Sequence, residues 1–421
     1  MLKILNFIFL ILLVCSLIRD LRKFFYSAIL SPIFWFRVYY VAYFALPVLF
    51  LDAVLNNPDL FESWFFSEAT LLKTHGIILS VNIIMFTLGI ALKIASINPG
   101  LSLNVRYNII YKVSYLIIFI FFIGSVFSLY QLIDIILTNG YLKFHFTLAS
   151  QKEKLVGIFH FNTLRYLVLG AFFYLYAKTK KRKFFLVLLP YIFFEMLAGG
   201  RTTSFIFILF IYLLLVKETG KIYLNRIFVI LLLLLVSVLF SRSASLGRTN
   251  FDLLIISSMA FGEFINTFLT LPFIIENEYY LFRPFEEILF SLYSGVLPGF
   301  IIKGTYDALS SEEVGATIAA EIGKGFGLGS NAISELIINY GFSGIIFFPC
   351  LYLLISYIDN KTLRDSSFLI RFFLIIHLRL YMRQGFASLI SVVYIFIMYL
   401  SIFYFSHHNY KRMQKRSMIK L

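Results

Sequence analysis

Charge is scarce in this chain: 14% of its 421 residues are Asp, Glu, Lys or Arg, against 60% that are hydrophobic. With a mean hydropathy of +0.87, that excludes a soluble globule, because apolar stretches recur at bilayer-spanning length. Cysteine is scarcer still. Cys15 and Cys350 lie in separate apolar segments with no Cys-x-x-Cys or Cys/His spacing, which excludes a disulfide framework and gives no sign of a metal site. No small-residue cleavage site follows the first apolar stretch, Leu2–Ile18, and its charges (Arg19-Asp20-Leu21-Arg22-Lys23) come after it. That order reads as a retained first helix, since a removable signal carries its charges ahead of its apolar core. Low-complexity sequence and internal repeats are also missing, which leaves a transporter built from duplicated halves without support.

What is present is a succession of apolar runs. They predict an all-α, polytopic integral membrane protein, a single transmembrane domain over 1–421, with about eleven helices (ten to twelve). The expected spans are 2–18, 32–51, 76–95, 109–130, 160–177, 184–198, 203–216, 226–241, 331–358, 367–383 and 385–405. The net charge of +15 comes from short basic clusters between these runs, such as Lys178-Thr179-Lys180-Lys181-Arg182-Lys183, so it marks membrane orientation and excludes nucleic acid as a partner. One set of alternate connections, with the tail after 405, carries 21 Lys and Arg; the other carries 10 over roughly twice the length. The richer set is expected on the cytoplasmic side together with the C-terminus, leaving 242–330 as one large periplasmic loop.

That loop is far longer than a turn needs, and long ordered loops tend to be functional. It holds 10 of the 22 acidic residues, among them Glu263, Glu276 and Glu321. Its portion Phe251–Ile275 is apolar with Glu263 and Asn266 embedded, as expected of an amphipathic helix lying on the outer leaflet. As a further span it would need a second crossing, for which the Gly- and Pro-broken stretch Ile288–Ile302 is the candidate.

Arginines gather at the same side. Arg201 stands in Gly199-Gly200-Arg201-Thr202-Thr203-Ser204, which interrupts the apolar hairpin Phe184–Val216. Arg242 and Arg248 open the loop, Arg283 lies within it, and Arg379 and Arg383 share a helix face at the expected outer end of the tenth span. Each alone reads as snorkelling or pairing with a carboxylate. Together they form a set of guanidinium forks suited to phosphate, whose contacts strengthen in the low dielectric near a bilayer. The second constellation is Gly327-Leu328-Gly329-Ser330-Asn331-Ala332-Ile333-Ser334-Glu335-Leu336-Ile337-Ile338-Asn339-Tyr340-Gly341-Phe342-Ser343-Gly344. Ser330 or Asn331 can cap the helix that follows. Glu335, one turn in, is either a base or sugar-binding carboxylate, or a partner of the helix dipole. Glu321 is the second choice for that role. His377, two residues from Arg379, reads as a core histidine.

This Gly/Ser turn followed by Glu, an aromatic-Gly pair and a small residue resembles the corresponding segment of O-antigen polymerases of the Wzy type. Gly199-Gly200-Arg201-Thr202-Thr203 is similar to that family's short Gly/Ser-Arg turn, and the large late loop and Arg383-Gln384-Gly385-Phe386 before the last span fit it too. An Arg followed by Gly after ten residues, found in some members, is not matched: Tyr212 stands there after Arg201 and Ser294 after Arg283.

The resemblance implies a GT-C-like, metal-independent glycosyltransferase of the bacterial inner membrane with no cofactor, active on the periplasmic face in lipopolysaccharide and other polysaccharide biosynthesis. Its substrate would be an undecaprenyl-diphosphate-linked oligosaccharide, with the growing glycan passed to the non-reducing end of an incoming repeat unit. A chain-length regulator and a flippase are the implied partners, beside the lipid bilayer. Catalytic roles then fall on Glu335, Arg201 and Arg383, and diphosphate or glycan binding on Arg242, Arg248, Arg283, Arg379, Asn331 and Glu321. A lipid-linked oligosaccharide flippase and an O-antigen ligase remain the alternatives.

Overall fold

The computed structural model describes residues 1–55, 66–100, 108–139, 162–197, 201–221, 264–265, 267–280, 331–361 and 368–384. Among the described residues every regular element is a helix, and five helical stretches are long and apolar enough to cross a membrane: Leu2–Ile29, Pro32–Leu51, Glu68–Ala91, Tyr111–Thr138 and Ala332–Lys361. Two shorter apolar helices, Leu167–Thr179 and Phe185–Leu197, accompany them. The expected spans 226–241 and 385–405 lie outside the described residues. The chain divides into two compact units, one drawn from Met1–Asn98 and Asp252–Val393, the other from Pro99–Phe251 and Tyr394–Leu421.

In the first unit, α1 (Leu2–Ile29) runs eleven residues past its expected end at 18. The basic cluster contains no Gly or Pro, and Asp20 within it accepts from Arg19 (2.9 Å) and from the buried Arg37. The helix therefore continues, with only a kink at Phe24 (φ −135°, ψ 41°). Ser31 caps α2 (Pro32–Tyr40), with Pro32 at the first helical position, where a missing N–H costs nothing. A π turn, Val41–Ala45, then precedes α3 (Pro47–Leu55). Pro47 has no N–H to give and its ring crowds the carbonyl four residues back, so a widened turn closed by Leu46 N–H to Val41 O (2.9 Å) takes up the misfit.

The next helix, α4 (Glu68–Ala91), begins eight residues earlier than expected because Ser67 caps it. It lies alongside α1 and in the same direction, joined by Asn82 to Asn6 (2.8 Å), Asn6 to the His75 carbonyl (3.0 Å) and Tyr40 to Asn82 (2.7 Å). Inside an apolar bundle such amides and hydroxyls must find one another, since neither lipid nor core offers partners.

Among the described residues, the second unit contains α5 (Asn108–Asn139), α6 (Asn162–Thr179), α7 (Phe185–Leu197) and α8 (Arg201–Thr219), packed on one another. Lys178 lies 4.4 Å over the Tyr111 ring and Tyr176 donates to Glu218, fixing the start of α5 and the ends of α6 and α8 at one end of this unit. The end of α7 and the start of α8 lie at the other end.

The first unit is completed by α9 (Thr270–Glu276), α10 (Ala332–Tyr340), a 3₁₀ turn (Gly341–Ile346), α11 (Phe347–Lys361) and α12 (Phe368–Gln384). Its core runs through Phe36, Tyr40, Phe348, Tyr352 and Tyr381, with Phe36 and Phe348 ring centres 5.2 Å apart. The loop portion expected to lie on the leaflet with one polar face differs: Thr267–Ile275 is buried, with Phe268, Leu269 and Leu271 in that same core. Its helix spans seven residues. Nearly every residue of it is apolar or a Thr that bonds locally, so there is no polar face to turn outward.

Candidate functional site

The hydrogen bonds of the first unit sort its residues to two ends. At one end Glu276 receives the backbone N–H (3.0 Å) and hydroxyl (2.8 Å) of Ser67, tying α9 to the start of α4. At that end too, Asn331 caps α10 by accepting from the Ser334 N–H (2.8 Å), while its amide donates to the Thr267 carbonyl (2.8 Å) and the Thr270 hydroxyl (3.1 Å). Thr270 and Ser334 hydroxyls lie 3.1 Å apart. Asn331 thus works as a clamp between α9 and α10, and what it positions is Glu335, one turn into α10.

Glu335 is buried, in a first turn whose dipole favours its charge, and Asn339 donates to its backbone carbonyl (2.9 Å). The facing helix α12 brings the Tyr381 hydroxyl within electrostatic reach of the Glu335 carboxylate. On the same helix Arg379 and Arg383, four residues apart and half-buried, flank Tyr381 in sequence. Tyr39 is buried on α2, which packs against α12. Tyr43, carried by the π turn, faces the ring of Phe264 edge-on at 4.7 Å. The core of the first unit thus holds Tyr39, Tyr43 and Tyr381, and α12, which carries Tyr381 with Arg379 and Arg383, packs on both α2 and the Glu335-bearing α10.

Outside the membrane helices, Glu276 has its carboxyl held below the usual range by hydrogen bonds from Thr70 and Ser67, with Lys73 adding a smaller pull. In the second unit Arg201 is the first residue of α8. On α7 of the same unit, Tyr191 donates to the buried carboxylate of Glu195 (2.8 Å). Arg242, Arg248, Arg283 and Glu321 lie outside the described residues. Of the residues expected from sequence, Asn331 and Glu335 belong to α10 and its cap, Arg379 and Arg383 to α12, which packs against α10, and Arg201 belongs to the other unit.

A family model for the O-antigen polysaccharide polymerase Wzy matches residues 1–413, nearly the whole chain. The chain belongs to the Wzy family. Membership makes this a multi-pass membrane protein of polysaccharide biosynthesis and a polymerising glycosyltransferase. No curated protein and no solved structure matches it.

Sequence reasoning missed four residues of this Wzy family member: Tyr39, Tyr43, Tyr381 and Glu195. In a chain with 27 tyrosines among its aromatics, a functional phenol has no compositional signal. Tyr381 alone had one, its place between Arg379 and Arg383. Glu195 had another, as the single acid of the apolar run Phe184–Leu197.

Proposed function

We propose that this Wzy family member lengthens a surface glycan, the O-antigen or a related polysaccharide, on the periplasmic face of the bacterial inner membrane. Eleven spans, a cytoplasmic C-terminus and the single loop 242–330 make up its one polymerase domain. The growing chain, carried on a polyprenyl diphosphate, is transferred to the non-reducing sugar of a newly flipped lipid-linked repeat. The acceptor hydroxyl oxygen attacks the anomeric carbon as the bond from that carbon to the diphosphate oxygen breaks. The hydroxyl proton passes to Glu335 and the leaving group is the polyprenyl diphosphate.

Negative charge grows on phosphate oxygens during this step. Arg201 and Arg383, with Arg242, Arg248, Arg283 and Arg379, neutralise it, so the step needs neither metal nor cofactor. Asn331 sets the position of Glu335, and Glu321 contributes to acceptor binding. A chain-length regulator and the flippase that delivers the repeat are the protein partners.

The observation that carries this reading, beside family membership, is the buried Glu335 presented by the Asn331 clamp next to Tyr381 on the arginine-bearing helix α12. A base must sit near charge that stabilises a leaving group, and these residues share that end. A gel of surface glycolipid from cells lacking the gene, beside the parent and Arg201→Ala or Glu335→Ala strains, tests it. Lipid A core capped by one repeat, with no ladder, is expected. Bare core would point to a flippase or ligase, and an unchanged ladder would refute the assignment.

A further inference from the structure

Positive charge collects at one end of the second unit. The membrane-crossing stretch of α5 opens at Tyr111, with Lys112 exposed beside it, and Lys178 of α6 lies 4.4 Å over the Tyr111 ring. Tyr176 of α6 donates to Glu218 of α8, so Gly220 and Lys221, just after α8, belong to that end too. Lys180, Lys181 and Arg182 stand exposed in the connection from α6 to α7. Among the described residues Glu218 is the single acid there, since Asp134 and Glu195 lie towards the far ends of α5 and α7. Six exposed cations face one carboxylate, which leaves a large positive excess at the depth where a bilayer places its headgroups.

The backbone adds to this excess. Helices α6 and α8 close alike, each on a residue in the left-handed region whose N–H returns to the carbonyl four residues back: Gly220 (φ 64°) to Val216 (2.9 Å) and Lys180 (φ 55°) to Tyr176 (2.7 Å). Glycine adopts that conformation without steric cost and lysine does not, so strain is accepted at a position whose side chain brings charge. Arg182 opens the 3₁₀ turn that leads into α7, and Lys112 follows the start of α5. Helix starts favour anions, yet no acid occupies the first turn of α5 or α7.

We propose that this end of the second unit is a seat for anionic phospholipid, its phosphodiester held by Lys180, Lys181 and Arg182 with Lys112, Lys178 and Lys221 around them. Orientation in the membrane asks only that basic residues fall on one side. A seat asks that they converge, which the Lys178–Tyr111 contact, the Tyr176–Glu218 bond and the two left-handed caps bring about. Basic clusters beside spanning helices attract anionic headgroups with a strength that grows with each cation. A bound headgroup then bridges the α6–α7 connection to the start of α5 and the end of α8.

Native mass spectrometry of the full chain, purified in neutral detergent and stripped of lipid, measures its affinity for phosphatidylglycerol and phosphatidylcholine. Phosphatidylglycerol is expected to bind on the order of 100-fold more tightly, and the Lys180→Gln, Lys181→Gln, Lys221→Gln triple variant to lose most of that preference. Arginine at the same three positions keeps the charge and should keep the preference, which separates lost binding from a damaged fold. Equal affinity for the two lipids in the parent, or an undiminished preference in the Gln variant, would overturn the assignment. Thermal unfolding supplies the second test: phosphatidylglycerol should raise the parent's melting temperature, by less as salt is added. An equal rise from inorganic phosphate would show a site for a free anion and overturn the lipid.

Discussion

Arg371 and Asp359 form an ion pair with both side chains fully buried, Nη2 lying 2.9 Å from Oδ1. The guanidinium also donates to the Leu30 carbonyl (3.1 Å) and to the Asp359 carbonyl, and Ser31 donates to the other carboxylate oxygen (2.9 Å). The end of α11, the start of α12 and the α1–α2 connection are thereby fastened at the end of the first unit away from Glu335. Removing one partner strands a charge in an apolar surrounding. Asp359→Ala or Arg371→Ala should each cost about 3–5 kcal/mol, read by thermal unfolding in detergent. Replacing both by Leu should recover most of that loss, since the desolvation penalty goes with the pair.

The junction of α10 and α11 depends on two glycines. Gly341 sits at φ 62°, ψ −162°, a conformation that costs any other residue ~1–3 kcal/mol. A Cβ on Gly344 would meet the Leu336 carbonyl oxygen at 2.4 Å, a backbone atom that cannot swing away. Gly344→Ala should therefore destabilise the protein by about 1–3 kcal/mol and displace the α10 segment that carries Glu335. The expected signature is lower membrane abundance in an immunoblot, together with a ladder weaker than the remaining protein accounts for.

These two features divide in how far sequence revealed them. The helical, membrane-spanning character was plain, because runs of apolar residues at bilayer length have few other uses. The Asn331 cap was also readable, being local, whereas the expected continuous span 331–358 is interrupted by the 3₁₀ turn Gly341–Ile346. Span ends were less so: α1 continues through its basic cluster only because Asp20 meets Arg37, a partner seventeen positions away. Arg371 falls within the expected span 367–383, and its partner Asp359 lies twelve positions away. The candidate site was half legible. Glu335 stood out through its motif, whereas Tyr39 and Tyr43 become relevant only once α2 is packed against α12 and the loop.

Glu276 ties α9 to the start of α4, and its proton linkage has a definite sign. Its folded-state pKa lies below the usual 4.5, lowered by Thr70 and then Ser67, so the latch is at full strength above 4.5 and is lost as pH falls below that through the lower folded-state value. The carboxylate is exposed and screened, so the effect is small, on the order of a fewfold in opening. Hydrogen exchange of residues 267–280 should quicken between pH 5 and pH 3, after correction for intrinsic rates. Glu276→Gln should give the faster exchange at pH 7 and remove that dependence.

The sharpest division between chemistry and scaffolding falls on Glu335. As a dipole partner in the first turn of α10 it would contribute only a few tenths to about 1 kcal/mol, and Gln, which keeps the shape and hydrogen bonds, would leave polymer synthesis nearly intact. As the base that takes the acceptor proton, its charge is indispensable. Glu335→Gln should then reduce polymerisation about 10²- to 10⁴-fold while the protein melts near the parent temperature. Tyr381→Phe removes a hydroxyl that acts on the carboxylate without itself receiving the proton, so a loss nearer tenfold is expected. Single-round transfer with purified protein and a lipid-linked repeat measures both. A Gln variant within fivefold of the parent would reduce Glu335 to a structural residue and leave the arginines to carry the reaction.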